Sequence, residues 1–114
     1  MSECLFCRIV RREQPAEIVA EERGLTAIKD INPQAPTHLL IIPHAHIPKV
    51  SDLTAEQAPV VAESVLLANR LAHQAGASES GYRLVLNCGT QAGQSVWHLH
   101  LHLLAGRPMR WPPG

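Results

Sequence analysis

Residues 97–103 read Trp97-His98-Leu99-His100-Leu101-His102-Leu103 and alternate strictly between apolar side chains and histidine. Successive side chains along a β-strand point to opposite faces of the sheet. The alternation therefore predicts a strand over Trp97–Leu104, with the tryptophan and the leucines in the core. The three histidines line the other face, where neighbouring imidazoles lie roughly 6 to 7 Å apart. Such a cluster of titratable groups is typical of a functional site.

A row of three histidines allows two chemistries. Neutral imidazole is a good Zn²⁺ ligand, and a His-x-His pair on one strand can hold one ion. Alternatively, an imidazole whose second nitrogen is held by a hydrogen bond can attack phosphorus, while its neighbours move protons and stabilise charge. The preceding loop favours the second interpretation, because its glycine, amide and hydroxyl can donate to phosphate oxygens without fixed positive charge. This loop is Ala92-Gly93-Gln94-Ser95.

The rest of the chain predicts an α+β fold. Residues Leu5–Arg12 are compatible with a short helix, and apolar periodicity predicts a long helix over Thr54–Ala75. The start of the long helix is left open, because Pro59 would remove a hydrogen bond just beyond its first turn. This order of elements indicates a helix packed on an antiparallel sheet. The predicted strands are Glu17–Glu21, Leu25–Asp30, His38–Ile42, Tyr82–Asn87 and Trp97–Leu104.

Length, charge and cysteine count exclude several classes of protein. The 114 residues, of which 46% are hydrophobic, are predicted to form one domain, residues 1–114. Ten basic side chains balance ten acidic ones, so no charge excess is available to bind a polynucleotide. Apolar runs are too short to span a membrane, and the start lacks the features of a secretory leader. Three cysteines are an odd number, so we expect reduced thiols in the cytoplasm.

The histidine row and its surroundings resemble the signature of the histidine triad (HIT) superfamily, His-φ-His-φ-His-φ-φ with φ apolar. The chain is similar to the nucleotide-binding branch of that superfamily rather than to its dinucleoside polyphosphate hydrolases. The resemblance implies a HIT-like fold with an antiparallel sheet of about five strands, one long and one short helix, and a sheet continued across a homodimer. It rests on residues 93–102 together with Asp30-Ile31-Asn32-Pro33-Gln34-Ala35-Pro36-Thr37-His38, Ile42-Pro43, His46-Ile47, Gly81-Tyr82-Arg83, Arg107-Pro108-Met109 and Trp111-Pro112-Pro113-Gly114.

The resemblance also assigns roles by position. His100 is the implied nucleophile, forming a nucleotidyl-histidine on the α-phosphorus that water then hydrolyses. His38 and His102 are the implied carriers of a proton to the leaving amine, with Ser95 as a further candidate, and no catalytic metal is expected. The implied substrate residues are Asp30 for the ribose, Asn87, Gly93, Gln94 and Ser95 for the phosphate, Phe6 and Ile9 for a purine base, and Trp111 near the partner's active site.

Cys4 and Cys7 form a Cys-x-x-Cys pair that could be half of a zinc site, a redox pair or two buried small residues. A redox motif belongs between a strand and a helix of a βαβ unit, which this segment does not resemble. Some members of the superfamily complete such a pair with two histidines. By position these are His46 and His98, with His44 as a rival, and they imply a structural Zn²⁺.

Three functions follow from these interpretations. The first is hydrolysis of purine nucleoside 5′-phosphoramidates, or related nucleotide conjugates, to the nucleoside monophosphate. The second is a protein that binds purine nucleotides or acts as a scaffold without catalysis. The third is a zinc-dependent hydrolase that uses histidines of the strand as ligands and therefore needs metal for turnover.

Overall fold

The computed structural model describes residues 4–114, which contain five strands joined in one antiparallel sheet. Residues 1–3, on which the prediction about a secretory leader partly rests, lie outside the described residues. The predicted α+β class is confirmed, with one short and one long helix. The elements are α1 (Leu5–Val10), β1 (Ile18–Glu22), β2 (Leu25–Lys29), β3 (Thr37–Pro43), α2 (Ala58–Gln74), β4 (Tyr82–Val85) and β5 (Leu101–Ala105). In the sheet the strands lie in the order β1-β2-β3-β5-β4.

Helix α2 covers one face of the sheet. Its buried stripe, Leu67, Ala68, Leu71 and Ala72, packs on the inward-facing side chains of β2, β3 and β5. The start of the helix explains Pro59, which lies in the first turn, where a missing N–H is tolerated. A separate 3₁₀ turn, Ala55–Gln57, precedes it and carries the capping box. Because α2 covers one face of the sheet, side chains of the strands can form a site only on the other face.

The smaller helix α1 packs on the opposite face of the sheet. Phe6 and Ile9 are buried there against Ile28, Leu40 and Ile42 of β2 and β3. Residues i and i+3 of a helix lie on the same side, so this short helix can present both side chains to the sheet. It therefore forms a wall beside the histidines rather than part of the core under α2.

The predicted strand Trp97–Leu104 is wrong in its first half, because β5 begins only at Leu101. Residues before it leave the sheet, and the Leu99 N–H donates to the Ile47 carbonyl at 2.6 Å. The alternation consequently fails at Trp97, which was predicted in the core but is 42% exposed. His98 shows the opposite departure, since it is fully buried. The strand Tyr82–Asn87 is likewise shorter than predicted and ends at Val85.

Among residues 4–114, no helix is both long enough and apolar enough to cross a membrane. The longest, α2, has 17 residues and is buried along one stripe only.

Candidate functional site

Two of the three histidines of the row line an open cleft of about 360 Å³ on the face of the sheet opposite α2. His100 and His102 lie side by side, with ring centroids 5.0 Å apart. Helix α1 forms an apolar wall of this cleft, and its Phe6 contacts the His100 ring edge-on at a centroid distance of 4.9 Å. The cleft thus joins a row of imidazoles to an apolar pocket. Predicted site residues that line it are Phe6, Ile9, Asp30, Ser95, His100 and His102.

The hydrogen bond of His100 determines which of its nitrogens can react. Its Nδ1 lies 2.7 Å from the carbonyl oxygen of His98. A carbonyl only accepts, so Nδ1 carries the proton and donates it, and neutral His100 keeps a lone pair on Nε2. Burial lowers the pKa of His100, although this hydrogen bond and the nearby Asp30 charge oppose the shift. At neutral pH the residue is therefore a neutral imidazole with the proton on Nδ1 and a free lone pair on Nε2, as a nucleophile requires.

A second chain of hydrogen bonds sets the tautomer of His102. The backbone N–H of Gln34 donates to Nδ1 of His38 at 3.0 Å, so the proton of neutral His38 is on Nε2. That nitrogen lies 2.9 Å from Nδ1 of His102 and donates to it. Neutral His102 then carries its own proton on Nε2, which it can donate. His38 itself does not line the cleft and lies behind His102.

Both members of this pair are neutral at physiological pH. Burial, with repulsion from His100 and then from His38, lowers the pKa of His102 to about 4, although Asp30 opposes the shift. Burial also lowers the pKa of His38, again against the Asp30 carboxylate. Neutral imidazoles keep the directed hydrogen bonds described above, whereas a doubly protonated His102 would repel the donor on His38.

The Asp30 carboxylate is held beside this pair. Its Oδ1 accepts the Asn32 N–H at 2.8 Å, and its Oδ2 lies 3.4 Å from Nε2 of His38. Asp30, His38 and His102 have donor atoms close enough to share a metal ion. However, metal binding at Nε2 of His38 would move its proton to Nδ1, where it would face the Gln34 N–H. The hydrogen bonds therefore favour a proton-carrying chain over a metal site.

A different group of residues has the geometry of a metal centre. The thiol–imidazole cluster consists of Cys4, Cys7, His46 and His98, whose donor atoms all lie within 4.8 Å of one another. Nδ1 of His98 is 3.3 Å from Sγ of Cys4 and 3.1 Å from Nδ1 of His46, which is 3.3 Å from Sγ of Cys7. In a tetrahedral zinc site with Zn–S about 2.3 Å and Zn–N about 2.05 Å, neighbouring donors are roughly 3.3 to 3.8 Å apart.

The protonation of the cluster also suits a cation. Nε2 of His98 donates to the carbonyl oxygen of Pro43 at 2.7 Å, so the lone pair of neutral His98 is on Nδ1, which faces the other donors. Burial lowers the pKa of His98 to about 4. Burial, and then the adjacent Cys4, raise the pKa of Cys7, because two neighbouring thiolates repel each other unless a cation lies between them. Residues of this cluster therefore fit Zn²⁺.

The rival ligand His44 lies elsewhere. Its Nε2 contacts Oγ1 of Thr26 at 2.8 Å and lies 3.4 Å from the Glu21 carboxylate. Only His46 of the two faces the thiols. Sequence spacing could not separate them, because the two histidines are two residues apart in a loop without regular alternation.

The loop before the histidines is ordered by Gln94. This side chain is buried, its Oε1 accepts the Gly89 N–H at 2.9 Å, and its Nε2 donates to the carbonyls of Pro48 and Val96. The amide thus binds backbone groups of the loop and the Pro48 carbonyl, and it joins the two segments. Gly93 has φ of 90° at the end of the 3₁₀ turn Thr90–Ala92, a conformation that favours glycine.

Other residues implied by the resemblance lie away from the cleft. Asn87 lines a separate depression with Arg83 and Leu104. Trp111 is 83% exposed and does not line the cleft. Sequence analysis missed the backbone groups of Gln34 and His98, which set the imidazole tautomers. No side-chain pattern could have identified them, because every residue carries a carbonyl and nearly every residue an N–H.

Two neighbouring imidazoles at an open cleft of about 360 Å³, beside a thiol–imidazole cluster, define a small α+β protein with a histidine-lined site. The family model described as scavenger mRNA decapping enzyme C-term binding matches residues 3–111. A purine nucleoside phosphoramidase of Escherichia coli is 47% identical over 94% of this chain and 90% of its own length. A HIT family hydrolase from Legionella pneumophila has a similar structure, with a TM-score of 0.96, 50% identity and coverage of 98% of this chain and 100% of that one.

The chain belongs to the histidine triad superfamily. A Zn-bound histidine triad family protein from Mycobacterium smegmatis is also similar, with a TM-score of 0.79, 33% identity and coverage of 91% of this chain and 75% of that one.

Proposed function

We propose that this protein hydrolyses purine nucleoside 5′-phosphoramidates, or related nucleotide conjugates, through a covalent intermediate on His100. The observation that carries the proposal is the lone pair on Nε2 of His100, held in a cleft that also offers an apolar pocket. The phosphoramidase name of the Escherichia coli relative, at 47% identity over most of both chains, supports the substrate class.

Substrate binding divides along the cleft. Phe6 and Ile9 supply an apolar wall for the purine base, and Asp30, held by the Asn32 N–H, accepts from the ribose hydroxyls. The phosphate then lies at His100, near the Ser95 hydroxyl. Gly93 and Gln94 contribute to the phosphate site by shaping this loop. The resemblance alone assigns Asn87 to the phosphate and Trp111 to the partner's active site, since neither residue lines the cleft. Uncharged donors suit a phosphoryl centre that must admit a nucleophile.

The chemistry takes two displacements at phosphorus. Nε2 of His100 attacks the α-phosphorus, the P–N bond to the leaving group breaks, and the amine departs with a proton. His102 holds the donor Nε2–H that faces this step, and His38 supports it from behind. Water then attacks the same phosphorus and gives up a proton that replaces the one lost from His102, the bond to His100 breaks, and the nucleoside monophosphate is released. The His98 carbonyl stabilises the positive charge that His100 carries in the intermediate, because it accepts the Nδ1–H.

The proposal is tested by intact-protein mass spectrometry of samples quenched during turnover of adenosine 5′-phosphoramidate. We expect an adduct with the mass of an adenylyl group, mapped to the peptide that contains His100. The matched control is His102→Asn, which keeps the nucleophile and should still form an adduct, more slowly. Turnover without any adduct would reject covalent catalysis, and binding of AMP without turnover would favour the non-catalytic alternative.

We also propose that Cys4, Cys7, His46 and His98 hold a structural Zn²⁺. Support comes from the donor distances, the lone pair on Nδ1 of His98, and the Zn-bound relative from Mycobacterium smegmatis. The ion would supply positive charge between two thiolates and tie α1 to the loop that carries His46. Free thiols at this site suit a reducing compartment such as the cytoplasm. Cys4, Cys7, His46 and His98 do not line the cleft, so this Zn²⁺ would not contact the phosphate.

We also propose that the protein is a homodimer, which the open edge of the sheet supports. β4 is the last strand in the order β1-β2-β3-β5-β4, and all four of its residues are half-buried. An exposed edge of this kind is a template for pairing with another chain. We therefore expect Val85→Lys to shift the protein from dimer to monomer in size-exclusion chromatography with light scattering. Val19→Lys on the opposite edge strand, where Val19 is 39% exposed, is the matched control and should leave the mass unchanged. A monomeric wild type would contradict the proposal.

A further inference from the structure

Helix α1 connects the thiol–imidazole cluster to the cleft. Cys4 is the residue that caps the helix and Cys7 lies within it, while Phe6 and Ile9 point to the cleft. Six residues are too few for a helix to be stable alone in water, so its position depends on what holds it. Among the contacts described above, the holding groups are the cluster on one side and the apolar packing of Phe6 and Ile9 on the other.

A second connection runs through His98. Its Nδ1 faces the cluster, while its backbone carbonyl accepts the Nδ1–H of His100. The segment from Trp97 to His100 lies outside the sheet, so no ladder of strand hydrogen bonds holds this carbonyl in place. Two neighbouring contacts hold the His98 carbonyl instead. The His98 side chain binds the cluster and the Pro43 carbonyl, and the Leu99 N–H of the same peptide group donates to the Ile47 carbonyl. One residue therefore joins the metal ligands to the group that sets the tautomer of the nucleophile.

Both connections meet at His100. Phe6 contacts its ring edge-on, and the His98 carbonyl holds its Nδ1–H. The donor atoms of the two thiols and two imidazoles lie 3.1 to 3.5 Å apart. Without a cation between them, no positive charge attracts all four. The wall of the base pocket and the nucleophile would then be less ordered, and a nucleotide that binds must restore that order at a cost in free energy.

We propose that the two sites are thermodynamically coupled: Zn²⁺ at Cys4, Cys7, His46 and His98 tightens the binding of a purine nucleoside monophosphate, and the nucleotide tightens the binding of Zn²⁺. The inference rests on the proposed zinc site and substrate class. The four ligands are then positioning residues for His100 and Phe6 in addition to stabilising the fold. Linkage requires the two effects to be equal, and coupling between sites is typically about 5- to 150-fold.

The test measures both halves of this cycle at a temperature where far-ultraviolet circular dichroism shows the metal-free protein to be folded. The zinc dissociation constant is obtained by competition with a chromophoric chelator, with and without saturating AMP. The AMP dissociation constant is obtained by calorimetry on zinc-loaded and metal-free protein. We expect each constant to fall at least about fivefold when the other ligand is present, and by equal factors. Constants that agree within about twofold would overturn the coupling, while phosphoramidate turnover by the same sample reports separately on the proposed function.

Variants distinguish positioning from general stability. His46 is exposed, so His46→Ala should fold, yet it should weaken AMP binding by the factor that chelation produces in the wild type. His46→Cys keeps a zinc ligand and should restore the coupling, and His44→Ala should change neither constant. Phe6→Leu should retain zinc affinity in the absence of AMP but reduce the coupling factor. Full coupling in His46→Ala, or its loss in His44→Ala, would contradict the proposed route.

Discussion

Replacing His100 with asparagine is expected to lower kcat/KM for adenosine 5′-phosphoramidate by at least about 10³-fold, as removal of a nucleophile does in other enzymes. Asparagine can still donate to the His98 carbonyl, which His100 holds at 2.7 Å, but it has no lone pair suited to attack phosphorus. AMP binding should therefore remain within about threefold, since the base and ribose contacts are kept. Steady-state kinetics and calorimetry on the same preparations check both expectations.

A matched control for that variant is His73→Asn. His73 is exposed on α2, on the other face of the sheet, and its Nδ1 contacts only the Ser78 hydroxyl among the hydrogen bonds described. This variant should retain wild-type turnover. If His100→Asn turned over substrate within tenfold of the wild type, the reaction would not pass through His100, and the nucleophile would have to be sought among other groups of the cleft.

The second large effect is expected on stability. Cys4→Ser removes a proposed zinc ligand that is also the capping residue of α1. A ligand that binds only the folded state stabilises it by about 4 kcal/mol at 1,000 times its dissociation constant. For a domain of this size that corresponds to a Tm lower by roughly 10 to 20 °C. Thermal melts and zinc content by atomic emission measure the two consequences together.

Cys88→Ser provides the control for loss of a thiol. Cys88 is half-buried and lies outside the thiol–imidazole cluster, so the variant should keep its zinc content and lose little stability. Chelation of the wild type should reproduce the loss of Tm and add nothing to it in Cys4→Ser. Equal zinc content in Cys4→Ser and the wild type would reject the ligand assignment, whatever the change in Tm.

Sequence patterns were most informative where one physical constraint acts on a long segment. The helix over residues 58–74 follows from an apolar stripe at helical spacing, and β2 and β3 follow from apolar runs between turn residues. The alternation of Leu101 and Leu103 with His102 also predicts the buried and half-buried faces of β5. In each case the side chains themselves determine the face that water can reach.

The same reasoning failed where tertiary contacts compete with alternation. Residues 97–100 have the pattern of a strand, but the His98 ring is drawn to the Pro43 carbonyl and the thiols, which takes the segment out of the sheet. The short-range pattern carries no information about partners 55 or 94 residues away. For this reason Trp97, predicted in the core, is exposed, and His98 faces the cysteines.

The sequence alone determined the class of fold, the histidine row and the candidate ligands, because side-chain type and spacing are sufficient for these. Only the tertiary structure decided which nitrogen of His100 is free, that His38 stands behind His102, and that His46 rather than His44 faces the thiols. These depend on backbone carbonyls and N–H groups brought together from distant parts of the chain. Since every residue carries such groups, only their positions in the folded molecule distinguish one from another.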